Sequence, residues 1–157
     1  MEALTIDIVR TDATHPDFQE LVKFLDADLA IRDGEDHDFY HQFNSIESLK
    51  NVVVIFHNKV AVACGAFKPY DSTTIEIKRM YTQVQSRGSG FAQMALGEVE
   101  KWAAELGYLS ALLETGIKQP EAIALYRKLG YHLRANYGPY AGLKTSLCFE
   151  KKWNHDR

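Results

Sequence analysis

The chain is poor in the features that mark several protein classes. Its 157 residues carry a net charge of −3, and no run of Lys and Arg stands out, which argues against nucleic-acid and membrane-surface partners. No apolar run is long enough to span a bilayer. The opening stretch MEALTIDIVR lacks the basic start and apolar run of a signal peptide. We therefore expect a soluble cytoplasmic protein.

Cysteine is scarce as well. Cys64 and Cys148 both lie in apolar, strand-like stretches, which favours small core residues in a reducing compartment, although a disulfide between them stays open at this stage. The sequence contains no internal repeat, low-complexity segment or linker. Its length fits a single core, so we expect one domain over residues 1–157.

Hydrophobic periodicity predicts the order of the secondary-structure elements. Strands are predicted near residues 4–10, 51–57, 60–67, 72–82, 108–115, 131–135 and 143–153. Helices are predicted over residues 15–33, 88–107 and 119–130, with a short helix or ordered loop at residues 34–44. Asn58-Lys59 marks a hairpin-like break between two predicted strands, and Pro120 suits the first position of the last helix. Hairpins come first and a β-α-β crossover comes later. The predicted fold class is therefore mixed α/β, with a mostly antiparallel twisted sheet and helices on both faces.

The stretch QSRGSGF, residues 85–91, joins a predicted strand to a predicted helix. A helix N-terminus offers unpaired N–H groups and a partial positive charge. Gly88 and Gly90 would let a phosphate approach the backbone closely, and Arg87 adds a full positive charge. The plainer interpretation is a helix-entry turn with small residues for packing, and an isolated G-x-G favours that one.

Two phosphate-bearing ligands compete for such a loop. A dinucleotide would suit Glu114, which ends the following strand where a ribose-binding acid belongs. However, Gln93 occupies the third glycine position of G-x-G-x-x-G, and one short α/β unit downstream is too little for a dinucleotide-binding sheet. A Walker A loop is excluded because no Gly-Lys-Ser/Thr follows. The second ligand is the pyrophosphate of coenzyme A.

Four segments of the chain favour coenzyme A over a dinucleotide, because together they resemble one protein family. Gln85-x-x-Gly88-x-Gly90 resembles the Q/R-x-x-G-x-G/A signature of the GNAT superfamily of N-acetyltransferases. IEIKRMYT, residues 75–82, is similar to that family's fourth strand, and LLETG, residues 112–116, to the strand that follows. AIALYRKLGY, residues 122–131, looks like its last helix. The resemblance implies the GNAT fold and an acetyl-CoA-dependent N-acetyltransferase.

The resemblance also implies where acetyl-CoA, the co-substrate, would bind. It would lie where the fourth and fifth strands splay apart, with its pyrophosphate on the backbone N–H groups of residues 87–91. The edge of residues 80–82 would pair with the pantetheine arm, and an N–H near Met80 would face the thioester carbonyl. At the end of the fifth strand, Thr115 stands where the family often carries an asparagine. The residues expected at the cofactor are Met80, Tyr81, Thr82, Gln85, Arg87, Gly88, Ser89, Gly90, Phe91, Ala92, Thr115, Ala122 and Tyr126.

Direct acetyl transfer to an amine in a ternary complex needs an acid for the departing thiolate and a base for the amine. Tyr126, with an ordinary pKa of about 10, is the candidate acid; the alternative is a core tyrosine. Glu76 is the candidate base, with a water chain as the alternative. Strand alternation predicts four side chains on one face: Glu76, Lys78, Met80 and Thr82. A simple Glu76–Lys78 pair is therefore also open.

The acceptor side would be shaped by acidic and aromatic residues, with two tyrosines opposite: Asp33, Glu35, Asp36, Asp38, Phe39 and Tyr40, then Tyr137 and Tyr140. Such groups favour a cationic or amphipathic amine on a small molecule or peptide, while the alternative is a solvated acidic loop. No metal is expected, because His37 and His41 do not match a zinc-protease motif. A non-catalytic acyl-CoA-binding sensor or interaction module is the alternative function, and the chain is expected to be a monomer or homodimer.

Overall fold

The computed structural model describes residues 5–34 and 49–153. The predicted short helix or loop that continues to residue 44 therefore lies almost entirely outside the described residues. The strands are β1 (Ile6–Thr11), β2 (Asn51–His57), β3 (Val60–Pro69), β4 (Thr74–Thr82), β5 (Ser110–Gly116), β6 (His132–Arg134) and β7 (Ser146–Lys152). The helices are α1 (Pro16–Asp33), α2 (Phe91–Glu105) and α3 (Pro120–Lys128), and none of those in the described residues has the length and apolarity to cross a membrane.

The strands form one sheet in the order β1-β2-β3-β4-β5-β7-β6. Neighbouring strands run antiparallel except β4 and β5, which are parallel. The parallel pair results from the crossover through α2. The mixed, mostly antiparallel sheet predicted from the sequence is confirmed.

Local sequence signals fix several element boundaries. Asn58 and Lys59 join β2 to β3, and both have positive φ angles, as a two-residue hairpin turn with right-handed strand twist requires. The predicted hairpin is thus confirmed. Helix α1 begins at Pro16, and the side chain of His15 accepts a hydrogen bond from the backbone N–H of Asp17. Helix α3 likewise has Pro120 at its start, where the missing N–H costs nothing.

The sheet is covered on both faces. Helices α2 and α3 pack against one face, around the fully buried Val99 and Phe149. Helix α1 packs its buried Phe18 against the other face, next to Cys64. Cys64 and Cys148 are both buried free thiols, so the disulfide left open by the sequence is not formed.

A bulge interrupts β4 at Arg79. This residue has a φ of 58°, and the register with β3 shifts so that Lys78 lies opposite Ala66 while Tyr81 lies opposite Cys64. Two consecutive residues, Lys78 and Arg79, therefore share the face that α1 covers. The predicted strand alternation is wrong beyond Lys78, because the extra residue reverses every later side chain.

The side chains after the bulge show the reversal. Met80 packs against the cluster under α2 and α3, whereas Tyr81 packs against the cluster under α1. Gly65 lies opposite the bulge, and a Cβ at that position would collide with the sulfur of Met80. A glycine in β3 thus gives Met80 the space that its new orientation needs.

Strands β4 and β5 diverge after a short paired segment. They pair only from Thr74–Ser110 to Glu76–Leu112. Beyond this, β4 continues to Thr82 along β3, and β5 continues to Gly116 along β7. The sheet therefore opens into a wedge at the carboxyl ends of its two parallel strands.

Candidate active site

A cavity of about 470 Å³ lies at the mouth of this wedge. It is bounded by the end of β4, the glycine loop, the first turn of α2, one side of α3 and the last turns of α1. Ten residues predicted at the cofactor line it: Met80, Tyr81, Thr82, Arg87, Gly88, Gly90, Phe91, Ala92, Ala122 and Tyr126. Its volume is within the range of pockets that bind small molecules.

Three predicted cofactor residues do not line the larger cavity. Thr115 lines a second, smaller cavity instead. Gln85 and Ser89 line neither of the two cavities. The side chain of Gln85 donates a hydrogen bond to the Gln83 side chain at 2.6 Å, so it holds the turn that precedes the loop.

The glycine loop presents backbone donors to the larger cavity. Gly88 and Gly90 have φ angles of 84° and 87°, and Gly90 is the N-cap of α2. No side chain in the described part of the chain caps this helix start. The Arg87 side chain reaches back to donate a hydrogen bond to the Thr82 carbonyl at 2.9 Å and lies over the Tyr81 ring. The loop thus combines free N–H groups with a fixed positive charge, an arrangement that favours anions.

The edge of β4 adds a further unsatisfied group. The Thr82 hydroxyl is buried and has no hydrogen-bond partner among the described residues. Because a buried hydroxyl without a partner is costly, a polar ligand in the cavity would relieve that cost.

The second cavity has a volume of about 100 Å³. It shares five lining residues with the larger cavity: Leu25, Met80, Gln119, Ala122 and Tyr126. Its remaining polar lining includes Glu76, Lys78, Arg79, Glu114, Thr115 and Tyr140. The two cavities therefore meet beside Met80 and Tyr126.

Tyr126 stands at this junction. It is 6% exposed, and its ring packs against Tyr131 and Phe149 with centroids 5.8 and 6.4 Å apart. Burial, with a smaller contribution from the negative charge of Glu114, raises the pKa of its hydroxyl well above the ordinary value. The hydroxyl makes no hydrogen bond to any residue in the described part of the chain, and it is protonated at neutral pH. Tyr126 is therefore a core aromatic whose hydroxyl is less acidic than the ordinary tyrosine assumed from the sequence, and its role as the acid stays a prediction.

Glu76 is buried in a polar network. The Tyr137 hydroxyl donates a hydrogen bond to its carboxylate at 2.9 Å, and the Nζ atoms of Lys78 and Lys68 lie 3.4 and 3.9 Å from it. Lys78 also donates to the Tyr140 hydroxyl at 3.3 Å, and burial lowers the pKa of the Lys78 ammonium. The Glu76–Lys78 pair that the sequence left open is present, and it lies inside the smaller cavity.

Arg79 was not anticipated as a site residue. Its side chain is only 2% exposed and forms an ion pair with Asp26 of α1. Its Nε atom is buried without a hydrogen-bond partner among the described residues. Strand alternation would have placed Arg79 on the opposite face from Lys78, and nothing in the strand pattern marks the bulge.

A second unanticipated contact joins α1 to α3. Arg32 donates two hydrogen bonds to the Glu121 carboxylate, at 2.8 and 3.3 Å, and pairs with Asp28 at 3.2 Å. These hydrogen bonds lower the pKa of Glu121 to about 2 and raise the pKa of Arg32. All three residues line the larger cavity. The cluster therefore adds one positive and two negative charges to the lining of the larger cavity, and it ties α1 to α3 across it.

The predicted acceptor residues are only partly described. Residues 35–40, the side chain of Asp33, and both His37 and His41 lie outside the described residues. Tyr137 and Tyr140 contact Glu76 and Lys78, and their place on the acceptor side stays a prediction.

Comparison with known proteins gives a consistent result. Residues 16–131 match the model of the Acetyltransferase (GNAT) family. The chain is 40% identical over 91 residues to an IAA acetyltransferase of Azospirillum brasilense, covering 57% of this chain and 60% of that protein. Across the curated relatives it matches, the alignments span 36% to 60% of their lengths.

Solved structures share the fold. A Klebsiella pneumoniae protein assigned as an acyl-CoA N-acyltransferase superposes with a TM-score of 0.79 at 28% identity, over 94% of this chain and 97% of that one. A GNAT family acetyltransferase from Elizabethkingia anophelis with acetyl-CoA bound superposes with a TM-score of 0.65 at 18% identity, over 94% and 98%. Since the family model covers most of the chain, the protein belongs to the GNAT family of acetyltransferases.

Proposed function

We propose that the protein is an N-acetyltransferase that moves an acetyl group from acetyl-CoA to a primary amine of a small molecule or peptide, by direct transfer in a ternary complex. The observation that carries this proposal is the meeting of the two cavities beside Met80 and Tyr126. Two reactants bound in adjoining cavities have their reacting atoms close together, which removes much of the entropic barrier to reaction.

The larger cavity suits the cofactor, which supplies the acetyl thioester. The uncapped first turn of α2, with Arg87 beside it, supports binding of the pyrophosphate. The diverging edge of residues 80–82 supports pairing with the amide-rich pantetheine arm.

The proton transfers are assigned to the two predicted residues. Glu76, whose carboxylate accepts a hydrogen bond from Tyr137 and lies beside Lys78 and Lys68, accepts a proton from the amine, directly or through water. The amine nitrogen forms the new bond to the acetyl carbon, and the carbon–sulfur bond breaks. Tyr126, which is protonated at neutral pH, donates its proton to the departing thiolate.

The test is an acetylation screen of the purified chain across small amines and peptides, reading free coenzyme A and confirming the N-acetyl product by mass spectrometry. Calorimetry with acetyl-CoA and with NAD accompanies it. We expect heat with acetyl-CoA only, and coenzyme A release that depends on the amine. Binding without turnover of any amine would instead favour the non-catalytic acyl-CoA-binding module. Absence of binding at millimolar acetyl-CoA would refute both functions.

Several expectations from the sequence stay predictions. These are a single domain over residues 1–157, a cytoplasmic location, the absence of a metal, and a monomeric or homodimeric state. Sedimentation of the purified protein and metal analysis would check the last two.

A further inference from the structure

We propose that the amine acceptor is a small α-amino acid whose carboxylate is bound by Lys78 and Arg79 in the smaller cavity. This inference rests on the proposed function and names its substrate class. The bulge in β4 carries it, because it turns two consecutive cationic side chains onto the same face. In a regular strand one of them would point to the opposite face.

Arg79 supplies the strongest indication of a ligand. Its side chain is 98% buried and lines the smaller cavity. Asp26 neutralises its charge from the α1 side, yet its Nε–H has no partner among the described residues. A buried donor without a partner is rare in folded proteins and calls for a water, an ion or a ligand atom. The Nε atom itself is closed off from the cavity, so a ligand would contact the part of Arg79 that lines it, and guanidinium groups match carboxylates particularly well.

The charges of the cavity lining match a zwitterion. Lys78 and Arg79 are positive, whereas Glu76 and Glu114 are negative. Lys78 and Glu76 lie 3.4 Å apart, and Ser146 donates a hydrogen bond to Glu114 at 2.8 Å. The lining is therefore neutral overall but carries both signs within a short distance. An α-amino acid, with its ammonium and carboxylate on one carbon, has the same arrangement.

The size of the cavity limits the acceptor. Its volume of about 100 Å³ is roughly two-thirds of an engineered protein cavity that admits benzene. That space accommodates the amine, the α-carbon and the carboxylate of an amino acid, but not a bulky ring system. A small amino acid such as alanine satisfies both the charge and the volume.

The experiment compares L-alanine with ethylamine, which is the same molecule without its carboxylate. Steady-state acetylation at saturating acetyl-CoA gives a KM for each amine with the wild type and with Arg79→Lys. The variant keeps a positive charge beside Asp26 but lacks the planar guanidinium group that can bind both oxygens of a carboxylate. We expect the KM for L-alanine to rise about tenfold or more in the variant, because one charged hydrogen bond to the carboxylate is lost. We expect the KM for ethylamine to stay unchanged, since ethylamine has no carboxylate. Because the two amines differ in their own pKa, only the change between proteins is interpreted.

Arg10→Lys is the matched control. Arg10 lies on β1 and pairs with Glu98 and Glu105, away from both cavities. We expect it to leave both KM values unchanged. Thermal unfolding of each variant checks that it folds, and the binding measurement described next provides the test if Arg79→Lys does not fold. If Arg79→Lys changed the KM equally for both amines, or changed it for neither, the proposal would be overturned.

A binding measurement separates this inference from the proposed function. L-alanine and ethylamine are titrated by calorimetry into the wild type and into Lys78→Gln. Heat with L-alanine that is lost in the variant supports the carboxylate subsite even if no amine is acetylated. Acetylation of an amine, together with L-alanine heat that is unchanged in Lys78→Gln, would leave the proposed function standing and would overturn the subsite. Absence of both binding and turnover would overturn both.

Discussion

Replacing Gly90 by alanine should weaken the protein and its cofactor site together. Gly90 caps α2 with a φ of 87°, and a Cβ at that position would meet no atom within 4 Å. The methyl group therefore causes no steric clash with other residues, and the cost is that of a left-handed backbone, about 1–2 kcal/mol. Gly97 offers a matched control, because it lies inside α2, also has no atom within 4 Å, and does not have a left-handed φ. There the same change should stabilise the protein by about 0.5–1 kcal/mol.

Two measurements test the prediction for Gly90→Ala. Thermal unfolding should give a melting temperature lowered by several degrees for Gly90→Ala, since about 1 kcal/mol corresponds to roughly 2–4 °C in a chain of this size, and raised slightly for Gly97→Ala. Calorimetry should show that Gly90→Ala binds acetyl-CoA about tenfold more weakly, because one misdirected N–H loses a charged hydrogen bond. Gly97→Ala should bind as the wild type does. A destabilised Gly90→Ala with unchanged affinity would refute the role of the loop in phosphate binding, and a stabilised one would refute the strain argument.

Three further predictions concern buried side chains. Tyr126→Phe should lower kcat by about 100-fold or more in steady-state assays, with little change in the calorimetric acetyl-CoA affinity; an unchanged kcat would remove Tyr126 from the acid role. Burial raises the pKa of Tyr126, Tyr131 and Tyr137. The folded state therefore holds these protons more tightly than the unfolded state, whose tyrosines have a pKa of about 10. The resulting stability is present below pH 10 and is lost as the pH rises from about 10 towards the folded-state pKa values. Urea unfolding should therefore give a lower stability at pH 11 than at pH 8, and equal values would contradict this. Phe18→Ala, at a fully buried position, should cost about 3–5 kcal/mol in the same assay.

The features that the sequence predicted correctly are those encoded by neighbouring residues. The hairpin turn at Asn58 and Lys59 needs only two residues with positive φ. The glycine loop and the proline at the start of α3 are equally local. The wedge between β4 and β5 was expected only because these motifs resemble the GNAT superfamily, in which the fourth and fifth strands splay apart.

The features that the sequence did not predict depend on distant partners. The Arg32–Glu121 pair joins residues 89 positions apart, and no local pattern links them. The bulge at Arg79 depends on Gly65 in the neighbouring strand, which leaves space for the displaced Met80. Regular strand alternation was the right first assumption for β4. It could not reveal the one extra residue of the bulge, because the space for that residue comes from the neighbouring strand. The charged face of the smaller cavity was missed for this reason.

The divergence of β4 and β5 also affects how the sheet holds together. Among the described residues, the strand pairing that joins β1–β4 to β5, β7 and β6 consists of three residue pairs between β4 and β5. The larger cavity is lined by residues of β4 from one half and of α3, which follows β5, from the other. A ligand that contacts both sides therefore works as a clamp across the seam. A ligand present at one hundred times its Kd would add about 2.7 kcal/mol to the free energy of unfolding. The stability of the protein would therefore depend on the concentration of that ligand.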